Sequence, residues 1–533
     1  METTHDAMRT SREGLLTRWR AAPLDAWWPL ALIAVAALGL VAGILIIDAS
    51  PVGAFTDDAL YVITARSVAT GHGFRMLHLP GEPYATHFPP GYPLMLAVLW
   101  RIMPSFPDNV MLFKAFNALC LGVIAAGTAR YMRRTVGAPR LAAVVGAFTA
   151  VSVPLFFLGA MLLSELSFLA LLMVLLPSLE EFAQERSPLW KAIVLGVAVG
   201  ACALVRTHGF VLAPAIGFVL VARGRWRDAL VVISAAIVTM LPWQLWSAQH
   251  AAALPAPLLG MYGSYGYWWR LAYDTFGASI FLRTLSKTIP ETYATFAVLF
   301  SPVHTRMAIA FSAVLLVGVT GMAVRAHWRR LSVTLMFLLG YFVILELWPG
   351  PPTRMIWGLW PLFLVLIAAG MRETIRAAAH RPRAMRYAAV AVAAWLVMGY
   401  AMYDYNGIRG QWWATLQRGA GSRIRGLVAW TRAYTRPDDI VATDVEAAVF
   451  LYSGRHTVPV RTFTADQYLA EPPSAVEVER GLVPLLSAYP IRAVITASEG
   501  SAATARLLTT PPRRLLAPGK EFPWGATFDV LPR

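Results

Sequence analysis

Two adjacent carboxylates, Asp57 and Asp58, stand just after the first long apolar run of the chain, in the stretch Phe55-Thr56-Asp57-Asp58-Ala59-Leu60-Tyr61. A carboxylate beside a hydroxyl can take its proton as that oxygen attacks an electrophile, which is general-base chemistry. The same pair suits a helix start, with Thr56 or Asp57 as N-cap and Asp58 in the first turn, complementing the helix dipole. Both readings can hold together, because a helix start fixes a carboxylate rigidly. Further on, Tyr84-Ala85-Thr86-His87-Phe88-Pro89-Pro90-Gly91-Tyr92-Pro93 reads as a proline turn leading into a helix. It also reads as a frame that lets His87 donate to a phosphate oxygen.

More polar residues interrupt apolar sequence. Glu165 follows Ser164, Arg206 and His208 lie between two apolar runs, and Arg354 follows Trp348-Pro349-Gly350-Pro351-Pro352. Ionisable groups at membrane depth are costly and are usually functional or paired, although each one singly also fits a side chain snorkelling to the interface. If Arg206 and Arg354 share a side with Asp57, they favour an anionic ligand there, because the planar guanidinium makes paired, charge-assisted hydrogen bonds to phosphate. The segment Met261–Arg270, rich in Tyr and Trp, reads as an interfacial aromatic belt, with sugar stacking as a lesser reading.

The elements that must carry these residues follow from composition. The 533 residues are 57% hydrophobic and 14% charged, against roughly 25% charge in a soluble domain. This describes a polytopic membrane protein. The formal charge of +16 falls mostly between apolar runs. It therefore speaks for membrane orientation and anionic headgroups, and no nucleic-acid partner is expected. Cys120 and Cys202 both fall inside apolar runs and read as core residues. Apolar runs at Trp27–Ile47, Val110–Tyr131, Leu141–Leu158, Leu166–Pro177, Leu189–Val205, Phe210–Val221, Ala229–Trp246, Met307–Val324, Leu331–Trp348, Met355–Met371 and Tyr387–Tyr403 predict about eleven transmembrane helices.

Arginines follow the second, sixth, eighth and tenth runs, at Arg130–Arg140, Arg223–Arg227, Arg325–Arg330 and Arg372–Arg386. With the N-terminus inside, all these loops fall on the cytoplasmic side, as the positive-inside rule requires. The loop after the fourth run, with Glu180, Glu181 and Glu185, gives no such support. The expected organisation is a cytoplasmic tail over 1–26 and a transmembrane unit over 27–405. That unit includes a first outer loop at 49–107 with interfacial helices near Asp58–Ala69 and Gly91–Ile102, and a second large outer loop at 247–306. A small α/β domain over 418–533 follows outside the membrane. Within it, Asp439–Thr443 and Arg492–Ala497 read as strands and Val476–Ala488 as an amphipathic helix.

Taken in order, the motifs resemble the GT-C glycosyltransferases, nearest in pattern to the protein O-mannosyltransferase and aminoarabinose-transferase group and similar to bacterial family 39. The resemblance rests on the acidic pair followed by Tyr61, Ala65, Gly71-His72-Gly73 and His87-Phe88-Pro89-Pro90-Gly91-Tyr92-Pro93-Leu94. It rests also on Leu163-Ser164-Glu165-Leu166, on Leu204-Val205-Arg206-Thr207-His208-Gly209, on Arg354 to Pro361 and on Leu451-Tyr452-Ser453-Gly454-Arg455. Thr207 stands where the group has proline, and His87 stands where the aminoarabinose transferases have lysine. The resemblance implies an inverting transfer of sugar from a polyprenyl-phosphate donor to an acceptor hydroxyl outside a bacterial inner membrane. Asp57 matches the catalytic carboxylate and Asp58 its supporting neighbour. Arg206, Arg354 and His87 are the candidates for the donor phosphate, with Glu165, His208, Tyr61 and Tyr84 in support. The acceptor is a lipid, glycan or protein, the surroundings are membrane lipids, and no cofactor is required, with a divalent metal left open. The competing expectations are a multi-pass lipid or sugar transporter or flippase, which would carry its charges mid-span, and a non-enzymatic membrane binding protein.

Overall fold

The computed structural model describes residues 26–462 and 481–532. The expected N-terminal tail therefore lies almost wholly outside the described residues, as does the first part of the helix expected over Val476–Ala488. Where apolar runs were expected to span, the chain forms helices α1 (Trp28–Leu45), α4 (Val110–Val136), a bent pair α5 (Pro139–Ala150) and α6 (Val153–Ala160), α7 (Ser164–Gln184), α8 (Leu189–Val205), α9 (Leu212–Ala222), α10 (Trp226–Ala251), α14 (Arg306–Arg330), α15 (Val333–Leu347), α17 (Trp360–Ala379) and α18 (Arg383–Arg409). Among the described residues six helical segments are long and apolar enough to cross a membrane, or seven if the bent pair is one span. Shorter apolar helices accompany them, among them Gly91–Ile102, α8 and α15. The outer faces of α1, α10 and α14 expose Ile33, Val41, Ile44, Val238, Met307 and Val314. Such a surface is tolerable only against hydrocarbon. The protein is a multi-pass membrane protein.

The first outer loop carries α2 (Thr56–Ala69) and α3 (Gly91–Ile102). The segment 247–306, expected as a loop, is mostly helical. It holds the end of α10, then α11 (Leu259–Tyr262), α12 (Tyr265–Phe276) and α13 (Ser279–Leu299). Ser264 caps α12 by accepting from Tyr267 N–H. The short α16 (Thr353–Trp357) follows the proline stretch and carries Arg354.

Helix ends sort by charge. The Arg223 Nη2 donates to the Arg330 carbonyl at 2.6 Å, the Arg330 Nη1 to the Thr135 carbonyl at 2.8 Å, and Arg372 Nη1 to the Val136 carbonyl. Arg225 Nη1 reaches the Glu185 carbonyl at 2.8 Å. The C-terminal ends of α4, α7, α14 and neighbouring helices thus meet at one end of the bundle, where arginines satisfy last-turn carbonyls and complement the helix dipoles. The acidic loop after α7, silent in sequence, joins this arginine-rich end. Ser164, at the other end of α7, faces the opposite side.

After α19 (Trp412–Tyr434) the chain builds a five-stranded mixed sheet in the order β2-β1-β3-β5-β4. Strands β2 (Thr457–Pro459), β1 (Ile440–Thr443) and β3 (Ile491–Thr496) are parallel, while β5 (Gly525–Val530) is antiparallel to both β3 and β4 (Leu516–Phe522). Helices α20 (Glu446–Ser453), α21 (Leu482–Ala488) and α22 (Glu499–Leu507) accompany the sheet. Helix α20 packs directly against α2.

Candidate active site

Asp57 and Asp58 occupy the first turn of α2, and their surroundings differ. Phe55 is the N-cap and no side chain caps the helix, so the expected capping by Thr56 or Asp57 is not what holds this turn. Asp58 is 3% exposed. Its Oδ2 accepts the Gly53 N–H at 3.1 Å and its Oδ1 the Ala59 N–H at 2.7 Å. Burial raises its pKa to about 7 against the opposing pull of those two bonds. Asp58 therefore closes the turn that leads into α2 and faces backbone. Asp57 points the other way, about one-third exposed, with its Oδ2 2.5 Å from the Arg354 Nη1.

Arg354 joins two carboxylates. Its Nε and Nη2 bond the two oxygens of Glu165, the second at 3.3 Å, while Nη1 serves Asp57. Glu165 sits in the first turn of α7 and is wholly buried. A buried carboxylate is tolerable only when paired. Glu165 has a second partner in Arg206, whose Nη1 lies 3.2 Å from Oε2 and also donates to the Ser164 Oγ at 3.1 Å. The Tyr61 hydroxyl is 3.2 Å from the same Ser164 Oγ. Six residues from α2, α7, α16 and the turn after α8 thus share one polar cluster, with the formal charges of Asp57, Glu165, Arg206 and Arg354 balanced. Ser164 belongs to it, although in sequence it carried no role beyond preceding Glu165. The signal available was its place beside Glu165 at a helix start. Phe55 supplies a ring face to Arg354, 5.8 Å from its Cζ.

The remaining expected residues divide. Tyr61 packs on Phe88 and Tyr92, with ring centroids 4.8 and 5.0 Å away, which ties the proline frame to the cluster. Gly91 permits that approach, because a Cβ there would lie 2.7 Å from the Leu204 carbonyl oxygen, just before Arg206. The His208 ring lies tilted against that of Tyr341 at 5.3 Å, and the Tyr341 hydroxyl donates to the Met355 carbonyl and so steadies α16. Tyr84 is drawn elsewhere. Its hydroxyl accepts from Arg75 Nη2 at 3.2 Å and its ring meets Trp246 and His250, an arrangement that leaves it outside the cluster.

His87 was expected to bind phosphate, and its bonding argues against that. Its Nδ1 lies 3.0 Å from the Gly263 carbonyl oxygen, which can only accept, so Nδ1 carries the proton. Burial holds its pKa below the ordinary histidine value. The ring is therefore neutral near pH 7, and its Nε2 bears a lone pair that repels an anionic oxygen. Among the described residues no group of three or more His, Cys, Asp or Glu is gathered as a metal would need.

No family model matches the sequence, and no curated protein matches it. Solved structures do match. The crystal structure of ArnT from Cupriavidus metallidurans bound to undecaprenyl phosphate superposes with a TM-score of 0.55 at 13% identity, covering 94% of this chain and 97% of that one. The same protein in the apo state gives 0.54 at 14% identity, covering 95% and 98%. An oligosaccharyltransferase from Archaeoglobus fulgidus gives 0.49 at 11% identity, covering 88% and 69%. The likeness to the first two runs from the membrane helices through the C-terminal sheet, and the chain has the GT-C fold.

Proposed function

We propose that this protein is an inverting glycosyltransferase that moves a hexosyl or pentosyl group from a polyprenyl-phosphate donor to an acceptor hydroxyl on a lipid, glycan or protein. The observation that carries the reading is Arg354 held between Asp57 and the buried Glu165. A guanidinium fixed through Nε and Nη2 keeps its Nη1 edge for exchange between partners. An arriving lipid phosphate competes with Asp57 for that edge. Its capture stabilises the leaving group and releases the Asp57 carboxylate from its ion pair, so that its oxygens can turn to the acceptor hydroxyl. The acceptor oxygen then attacks the anomeric carbon from the face opposite the phosphate. Asp57 takes its proton, the bond from the anomeric carbon to the phosphate oxygen breaks, and the electron pair leaves with the polyprenyl phosphate. The phosphate is already a stable anion and needs cationic support, supplied here by Arg354 and Arg206, and no general acid. ArnT, of the same fold, binds undecaprenyl phosphate, which supports the donor class.

The proposed orientation places the arginine-rich end of the bundle in the cytoplasm of a bacterial inner membrane. The site, at the other end of α7, and the C-terminal α/β domain then face outside. The experiment is Asp57→Asn, reconstituted with polyprenyl-phosphate sugars. Transfer falls by on the order of 1000-fold or more, as for loss of a general base that also orients the nucleophile, while folding and donor binding persist. Asp58→Asn loses less, because one of its two backbone bonds survives the exchange. Full transfer by Asp57→Asn overturns the assignment. A transporter or flippase would move the lipid in both variants without forming a glycosylated product.

A further inference from the structure

His87, beside the cluster, is bonded so that hydrogen-bond acceptance is the function left to its ring. Its Nδ1–H is committed to the Gly263 carbonyl. The ring is clasped by Phe88 at 4.4 Å, Trp268 at 4.9 Å and Tyr265 at 5.3 Å, which fixes the direction of Nε2. The same Phe88 ring lies 4.8 Å from that of Tyr61, whose hydroxyl is in the cluster at Ser164, so His87 is one ring removed from it. Tyr265 in turn meets Trp348, just before α16, at 5.6 Å. The proline frame, the start of α12 and the approach to α16 therefore form one aromatic wall beside Asp57 and Arg354, with His87 Nε2 as a fixed lone pair in it. The phosphodiester of a sugar-charged lipid offers no proton to such a group, whereas its sugar hydroxyls do.

We infer that His87 is a donor-specificity residue whose Nε2 accepts a hydrogen bond from a hydroxyl of the transferred sugar, orienting the ring for attack while Arg206 and Arg354 hold the phosphate. This rests on the polyprenyl-phosphate reading of the site. It assigns the two halves of the donor to different residues, and so separates bare lipid phosphate from sugar-charged lipid. It also fixes a role for Gly263: its carbonyl sets the tautomer that makes Nε2 an acceptor.

The test compares binding of undecaprenyl phosphate with binding of undecaprenyl-phosphate mannose and undecaprenyl-phosphate glucose to the full-length protein in detergent. The variants are His87→Asn, whose amide N–H can keep the Gly263 bond while the acceptor at Nε2 is lost, and His87→Ala as a second form. With His87→Asn the affinity for at least one sugar-charged lipid falls about tenfold, the scale of one lost hydrogen bond in a closed site, and bare undecaprenyl phosphate stays within about twofold. Equal weakening of charged and bare lipid would assign His87 to the phosphate and overturn the inference, as would unchanged binding of all three lipids by both variants. If the unmodified protein binds none of the three, the polyprenyl-phosphate reading itself fails and the inference fails with it.

Discussion

Arg354 is the residue on which the geometry turns. Its three nitrogens serve two carboxylates contributed by helices far apart in sequence, with Asp57 separated from it by 297 positions. A lysine would keep the charge but could not fork, because an ammonium is a point donor at the end of a flexible stem. Arg354→Lys is therefore expected to lower the rate of transfer by on the order of 100-fold or more, comparable to losing one preorganised donor at a developing charge. Helicity and membrane insertion should be retained, since Arg206 still pairs with Glu165. A kinetic assay beside a circular-dichroism melt checks this, and a rate within about threefold of the unmodified protein removes Arg354 from the site. The polar residues were legible one by one, as charges interrupting apolar sequence. Their pairing was not, because nothing local marks which arginine meets which carboxylate across hundreds of residues. The same limit explains Tyr84 and His87. Both stand in the proline frame, yet Arg75 draws Tyr84 aside and a backbone carbonyl sets the proton on His87.

At the scale of elements, the start of α2 is fixed from outside itself. Gly53 has a φ of +116° and donates its N–H to Asp58. A Cβ there would lie 2.4 Å from the Ala448 Cβ on α20. The neighbouring Val52 N–H donates to the Tyr452 hydroxyl, also on α20, at 2.9 Å. The helix of the C-terminal sheet is thus one wall of the turn that aims Asp57. Gly53→Ala is expected to be destabilising by about 2–4 kcal/mol, combining positive-φ strain with overpacking, and to reduce turnover more than donor binding. Adding Ala448→Gly should return the packing part and leave the conformational part, so the double variant melts between the single variant and the parent. A double variant no more stable than Gly53→Ala alone would show that α20 does not set this turn. In sequence the segment Leu451–Arg455 carried only a family resemblance, because a contact that needs the absence of a side chain on one partner leaves no periodic pattern.

At the scale of the molecule, the apolar runs made the membrane helices legible, since hydrocarbon imposes both length and composition on them. The helices between 247 and 306 were hidden because their apolar residues are mixed with charge and broken by Pro255, Pro257 and Pro290. In the C-terminal sheet β1 and β3 were visible as short buried runs, whereas β4 was not, with Pro518, Gly519, Lys520 and Glu521 in a strand exposed for most of its length. Nor was the buried chain that joins three distant parts of the protein visible. The Tyr262 hydroxyl donates to Glu446 Oε1 at 2.7 Å and lies 2.9 Å from His78 Nε2. Because the tyrosine proton goes to the carboxyl, the histidine is the donor to the tyrosine oxygen, and burial holds the imidazole pKa down to about 3, so that it stays neutral. This chain fastens the first outer loop and α11 to the N-terminus of α20. Burial also raises the Glu446 pKa from 4.5 to about 7, although the Tyr262 bond pulls the other way. The folded protein therefore keeps this proton through a range in which the unfolded chain has lost it. The stabilisation is full below the unfolded value and is lost as pH rises through the folded one. Glu446→Gln cannot titrate. The melting temperature of the parent should consequently fall relative to that of Glu446→Gln between pH 5 and pH 8, as read by thermal unfolding of both proteins in the same detergent. Asp58 titrates in both and cancels in the difference. A gap between the two proteins that is the same at both pH values would mean that Glu446 keeps an ordinary carboxylate pKa, and that the outer segments are fastened by packing without a stored proton.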